Sequence, residues 1–283
     1  MKKIGLVDHY LDEFHANHFP EWIRGSKLAS EFEVSYAYAE KNKDGGLTTE
    51  NWCEKFQVEK VDSLERIVQQ SDCIIVLAPD EAHSHERLSA PALKNGKPVF
   101  IDKVLADDLE SGKRICALAE ANQTPMYSSS ALRFSKEYDQ IPQEKKDGNL
   151  IDFISLMGAG SFEVYIVHQI EMLVTLCGIG AKRMMNIGTT LTPIIKVEFE
   201  DKLAHLTVMG KIPFAAAISY KDNSAIFLPE CTDFFPRSID AMLNFFLTLK
   251  APSSHKECLK VISSHIAAHS AKKNPGVWVD IID

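Results

Sequence analysis

Five side chains able to bind metal or carry protons crowd one short stretch near the amino terminus: Asp8, His9, Asp12, His15 and His18. Asp12, His15 and His18 recur every third residue, so a helix would set them along one face. Two imidazoles and a carboxylate there could hold Zn²⁺ or Mn²⁺ for a lyase or hydrolase reaction. Acidic capping residues followed by histidines on a helix surface explain the spacing equally well, and no metal is expected. Two other residues stand apart. Lys103 follows the apolar run Val99-Phe100-Ile101, which places it either at the carboxyl edge of a sheet, where open α/β folds bind ligands, or in an ordinary solvated loop. His168 lies in a helical stretch with Val164, Met172 and Leu173 near its face. A histidine near its neutral pKa can take a hydroxyl proton, as alcohol oxidation requires; the alternative is a satisfied core residue. Glu163 and Glu171 fall within one or two helical turns of it, as ring-orienting groups or as plain surface charge.

The elements that must position these groups follow from the hydrophobic pattern. Short apolar runs at Ile4 to Val7, Val34 to Ala39, Cys73 to Ala78, Val99 to Ile101 and Pro125 to Ser128 read as strands. They alternate with helical stretches, the pattern of a parallel sheet covered on both faces. Asp62 with Glu65 suggests a capping box for a helix over Leu64 to Gln70, Gly96 a stop for the next, and Asp107 with Asp108 an acidic start to the helix through Ala119. Beyond Ser128 the alternation ends. A polar stretch from Lys136 to Asn149 leads into a strand at Ile151 to Met157, then a helix from Phe162 to Cys177 stopped by Gly178 and Gly180. Strands at Ile194 to Phe199 and Ala204 to Met209, turned by Asp201-Lys202, precede two closing helices, Arg237 to Leu249 and Lys256 to Ala271. The expected division is residues 1–130, a nucleotide-binding-type domain, and 131–283, an α+β domain for substrate and oligomer contacts.

Composition narrows the function classes. With 283 residues, 45% of them hydrophobic and 25% charged, the chain has material for two cores. A net charge of −8 with no basic stripe speaks against nucleic acid as a partner. No run reaches the roughly 20 apolar residues that span a bilayer, and the start is too short for a secretory h-region, so neither a membrane nor a leader is expected and the location is read as cytoplasmic. The six cysteines are scattered without a CxxC pair and read as reduced thiols.

The segment Leu77-Ala78-Pro79-Asp80-Glu81-Ala82-His83, followed by Gly96-Lys97-Pro98-Val99-Phe100-Ile101-Asp102-Lys103-Val104, resembles the glucose-fructose oxidoreductase and inositol dehydrogenase family, Gfo/Idh/MocA. The likeness continues through His168 and Glu171, similar to that family's His-x-x-Asp, to the closing helix at Ala267 to Ser270. The resemblance implies a Rossmann-type parallel domain followed by an α+β domain with a largely antiparallel open sheet. It implies hydride transfer between a sugar, inositol or polyol and NAD or NADP, and a homodimer or homotetramer. Lys103 would polarise the reacting oxygen and His168 act as acid and base, the two facing one cleft. Asp8, Tyr10, Leu11, Glu40, Ala78, Pro79, His83, Asp102 and Lys103 would line the cofactor, and Glu163, Glu171 and Arg133 the substrate. Glu40, as a free carboxylate closing the second strand, would favour NAD.

Departures from the family pattern shape the remaining expectations. The chain is short for the family, Asp102 and Val104 replace its Glu and Pro, and Val164 stands where it has an Asp. The first turn, Val7 to His15, contains no glycine, although a dinucleotide fingerprint needs glycines to let backbone approach the pyrophosphate. Asp8, Asp12 and Glu13 put negative charge there instead. Dinucleotide binding is therefore expected to be atypical or weakened. A member of the family that binds a metabolite or a protein without catalysis is the main alternative, and the metal-dependent lyase or hydrolase the other.

Overall fold

A computed structural model describes residues 1–282. The chain forms two compact units, Met1–Ser129 with Phe235–Cys258, and Ser130–Phe234 with the chain from Leu259 onward. The expected single cut after residue 130 is therefore corrected: the chain returns to its first unit late.

The first unit runs β1 (Lys2–Asp8), α1 (Phe14–Arg24), β2 (Phe32–Ala39), α2 (Thr49–Phe56), β3 (Glu59–Lys60), α3 (Leu64–Gln70), β4 (Cys73–Val76), α4 (His85–Asn95), β5 (Val99–Ile101), α5 (Leu109–Ala121) and β6 (Met126–Ser128). Its six strands are parallel in the order β3-β2-β1-β4-β5-β6, the doubly wound arrangement whose strand order reverses beside β1. All four residues of β4 are buried, as expected of a strand covered on both faces. Helix punctuation agrees with the sequence at Gly96, which ends α4 with a φ of 77°, and at Asp108, whose carboxylate accepts the Ser111 N–H at 2.8 Å. At α3 the cap is Ser63, whose hydroxyl accepts the Arg66 N–H, rather than Asp62. Ser63 immediately precedes the first helical residue in extended backbone, the position from which a side-chain oxygen reaches the first-turn amides.

The second unit contains β7 (Ile151–Gly158), α6 (Phe162–Cys177), β8 (Arg183–Asn186), β9 (Ile194–Glu198), β10 (Leu203–Val208), β11 (Ala215–Tyr220), β12 (Ala225–Leu228) and β13 (Val279–Asp280). The seven-stranded sheet has the order β12-β11-β7-β10-β9-β8-β13. Only the β7 and β10 pairing is parallel, so the sheet is mixed and mostly antiparallel. Helix α6 covers it with Ile166, Ile170, Leu173 and Val174, and Gln169 Nε2 donates to the Thr207 carbonyl at 2.9 Å, tying the helix to β10. The polar stretch expected between the units is a chain of short 3₁₀ turns between Ala131 and Leu150.

Helices α7 (Phe234–Thr248) and α8 (His255–Lys273) follow β12 and precede β13. Ile239, Met242, Leu243, Phe245 and Phe246 of α7 enter the core formed by Ile4, Leu6, Phe32, Phe100 and Tyr127. Tyr127 and Phe245 meet edge to face with ring centroids 4.9 Å apart. Burial of this apolar face accounts for the return of α7 to the first unit.

Candidate active site

In the first unit the residues singled out from sequence gather at the carboxyl ends of β1, β4 and β5, beside the point where strand order reverses. Asp8 closes β1 and is almost fully buried. Its Oδ1 accepts the backbone N–H of His9 at 2.6 Å and of Ala78 at 3.1 Å, while Oδ2 has no partner. Burial, reinforced by the charge of Glu13, raises the Asp8 carboxyl well above its usual range. Glu13 is the residue before α1, and its carboxylate accepts the N–H of His15 at 2.7 Å and that of Ala16. The amides that a helix amino terminus would offer to a pyrophosphate are thus taken by the chain's own carboxylate.

His15 and Asp102 form a pair that neither sequence pattern announced. The His15 Nδ1–H donates to Asp102 Oδ2 at 2.5 Å, and Asp102 Oδ1 accepts the backbone N–H of Lys103 at 2.8 Å. Burial disfavours both charges, but each partner's charge and the shared hydrogen bond prevail. Asp102 is held at about 2, and the His15 imidazole stays above its ordinary value, with Glu13 adding to the effect and Lys103 opposing it. His15 Nε2 and the Lys103 ammonium have no hydrogen-bond partner among the described residues. Beyond Lys103, the buried His85 ring lies between Leu77 O at 2.5 Å on its Nε2 side and Val104 O and Leu105 O at 3.1 and 3.2 Å on its Nδ1 side, joining the end of β4 to the loop after β5.

The remaining residues expected at the cofactor have other neighbours. Leu11 is sealed in the apolar core. Tyr10 is half-buried, with its hydroxyl 3.4 Å from Asp80 Oδ2 and the Lys43 ammonium over its ring. Ala78 adopts a φ of 52° and Pro79 follows it, half-buried. Glu40 is not a free carboxylate: one oxygen accepts from His9 Nδ1 at 2.8 Å and the other is ion-paired with Arg87. His83 is exposed beside Glu81 and Asp107, and the buried histidine of this segment is His85.

The set considered for metal does not converge. Asp12 accepts from Asn17 and the Leu47 amide, and His18 lies 2.6 Å from the Phe14 carbonyl and stacks on Trp22. His9 and His15 turn to Glu40 and Asp102. Among the described residues no group of three His, Cys, Asp or Glu side chains could hold a metal ion.

In the second unit His168 projects from α6 with its Nδ1 2.8 Å from the Ser130 hydroxyl, against the rings of Tyr165 and Phe214. Glu171, one helical turn on, is buried and accepts from Arg133 Nε at 2.6 Å. Glu163 lies on the exposed side of α6, paired with Lys272. The serine contact to His168 was not legible in sequence, since nothing in a serine before a short turn marks it as a histidine partner.

Comparison with known proteins bears on the fold. Residues 13–129 match the family model described as the Gfo/Idh/MocA oxidoreductase family, NAD-binding Rossmann fold. That segment is similar to the Gfo/Idh/MocA family, and the match begins at residue 13, within the glycine-free turn. No curated protein sequence matches the chain. Among solved structures, a probable dehydrogenase from Thermotoga maritima superposes with a TM-score of 0.81 at 13% identity, over 99% of this chain and 98% of that one. Scyllo-inositol dehydrogenase from Lactobacillus casei gives 0.78 at 15%, over 99% and 98%. Myo-inositol dehydrogenase from Lactobacillus casei, solved in complex with NAD(H) and myo-inositol, gives 0.81 at 13%, over 100% and 97%. The fold of both units is that of these proteins. Among the described residues no helix is long and apolar enough to cross a membrane.

Proposed function

We propose that this protein is a nicotinamide-dependent oxidoreductase acting on a sugar, inositol or related polyol, with weakened dinucleotide binding. A bound nicotinamide would supply or accept the hydride. Lys103 would stabilise negative charge on the reacting oxygen, and His168, with Ser130 at its other ring nitrogen, would take or return that oxygen's proton. Arg133 and Glu171 fix the helix turn that carries His168, and Glu163 contributes at the surface. The observation that carries this reading is the unpartnered ammonium of Lys103 at the carboxyl end of β5, within a segment matching an NAD-binding oxidoreductase family. A cytoplasmic homodimer or homotetramer taking a small-molecule substrate belongs to the same proposal.

A second reading has one observation in its favour. Glu13 already fills the amide site at α1, as expected of a family member that has lost redox chemistry and binds a metabolite or a protein. Titration of the full chain with NADH and NADPH, followed by nicotinamide fluorescence, separates the two. Saturable binding of either dinucleotide supports the oxidoreductase, and no binding up to roughly 1 mM, about −4 kcal/mol, supports the alternative.

A further inference from the structure

The carboxylates that made the first turn look hostile to anions are each tied to a donor of the chain itself. Asp8 serves the amides of His9 and Ala78, Glu13 those of His15 and Ala16, Asp12 the Leu47 amide and Asn17, and Asp102 the His15 ring and the Lys103 amide. Besides the buried Asp8 Oδ2, two nitrogens at this edge of the sheet have no hydrogen-bond partner among the described residues: Nε2 of a His15 ring fixed through its other nitrogen, and Nζ of Lys103. One buried carboxylate, Asp102, accepts from the ring of the first and from the backbone N–H of the second. We infer that His15 and Lys103, braced by Asp102, form an anion site for a phosphoryl group in place of the missing glycine-rich cradle.

Two departures from the family pattern explain each other here. The rebuilt first turn supplies His15, and the Asp in place of Glu at 102 receives it. Asp102 orients the ring so that the free nitrogen is a donor when the imidazole is charged, the role a carboxylate plays behind a functional histidine. The charged groups facing the ring are Asp102 and Lys103 after β5 and Glu13 before α1, and the aromatic ones are Phe14 and Phe19 of α1 and Phe235 of α7, with ring centroids 5.7, 5.9 and 6.3 Å away. Asp102 and Glu13 favour the charged ring and Lys103 disfavours it. Nε2 of the charged His15 ring and the Lys103 ammonium can each give a phosphoryl oxygen a charge-assisted hydrogen bond.

The phosphoryl group could belong to the dinucleotide or to a phosphorylated substrate. The dinucleotide source rests on the oxidoreductase reading; the site itself does not. The test uses the full chain and two probes of pH-independent charge, ADP-ribose for the cofactor and inorganic sulfate, added to protein saturated with NADH, for a substrate anion. Binding is read by calorimetry and by the ring signals of His15 in NMR. We expect at least one probe to bind, to shift the His15 signals, and to weaken about tenfold or more, roughly 1.4 kcal/mol, in His15→Gln. Binding should also weaken as pH rises past the titration of His15, and Asp102→Asn should move that loss to lower pH. ADP-ribose alone obeying this pattern assigns the site to the dinucleotide, and sulfate alone to the substrate. Neither probe shifting His15, or both binding His15→Gln as tightly as the wild type, overturns the anion site. If NADH fails to bind the wild type, sulfate is added to the free protein: the oxidoreductase reading then fails, while the anion site stands or falls on the sulfate result. Should His15→Gln fold poorly, Asp102→Asn carries the same comparison: unchanged binding and pH dependence there overturn the inference.

Discussion

Glu13 accepts the backbone N–H of His15 at 2.7 Å, so the first helix of the chain begins with its amino terminus already holding a negative charge. Helix termini of this kind receive pyrophosphate in dinucleotide folds, and an anion arriving here must displace or share that carboxylate. NADH is therefore expected to bind with a dissociation constant weaker than about 1 µM, about −8 kcal/mol, and a graft restoring glycines across Asp8, His9 and Tyr10 together with Glu13→Gly to tighten it. Fluorescence titration of both proteins checks this; submicromolar affinity in the wild type, or no gain on grafting, goes against it.

Asp8 gives the fold a pH dependence of known sign. Its folded carboxyl titrates well above its ordinary value of 3.8, so the native state keeps a proton that the unfolded chain releases. Stability from this group is lost as pH rises above the ordinary value, and Asp8→Asn, which can still accept the His9 and Ala78 amides, lacks that slope. In urea unfolding the variant should gain on the wild type as pH rises above the ordinary carboxyl value of 3.8. A difference that stays constant or shrinks over that rise contradicts the burial argument.

Arg133 and Glu171 are paired with both side chains nearly sealed from solvent. Removing one partner leaves the other charge buried, which typically costs about 3–5 kcal/mol. Glu171→Ala and Arg133→Ala should each lower the unfolding free energy by about this amount, and the double variant should lose less than the sum. Additive losses in denaturant titration would mean that the pair does not act as a unit.

The returning helix α7 should be as necessary to the first unit as any strand. Leu243 is fully buried in its core, so Leu243→Ala should cost about 2–5 kcal/mol. A fragment ending near residue 130, which lacks α7 altogether, should fail to give a cooperative thermal transition. A well-folded fragment would show that the return is dispensable.

Much of the architecture was written in local patterns. Strands β4 and β5 are continuous buried apolar runs, β1 contains one at Ile4 to Val7, and α6 has the bounds its periodicity gives, Phe162 to Cys177. What escaped was short or non-local. Strand β3 has two exposed residues, Glu59 and Lys60, and no apolar signature. Strands β11 and β12 lie in an Ala-rich stretch and a mostly exposed one, where neither alternation nor β-branched content is strong. The assignment of α7 to the first unit depends on which core its apolar face finds, which no window of sequence contains. Lys103 and His168 are proposed for the site from motif position. The Asp102 partner of His15 was not legible, because a hydrogen bond across 87 positions leaves no mark on either residue's neighbours.

The proposed chemistry meets its most direct test in turnover. Wild-type protein incubated with NAD⁺ or NADP⁺ and a panel of myo-inositol, scyllo-inositol and glucose should produce reduced nicotinamide, detected by its fluorescence. Lys103→Met and His168→Ala should each lower kcat by about 10²-fold or more while leaving the circular dichroism and the unfolding midpoint near wild type, since both groups are assigned to the reacting oxygen rather than to the core. Reduced nicotinamide formed at the wild-type rate by either variant, or by no polyol in the wild type, would contradict the assignment.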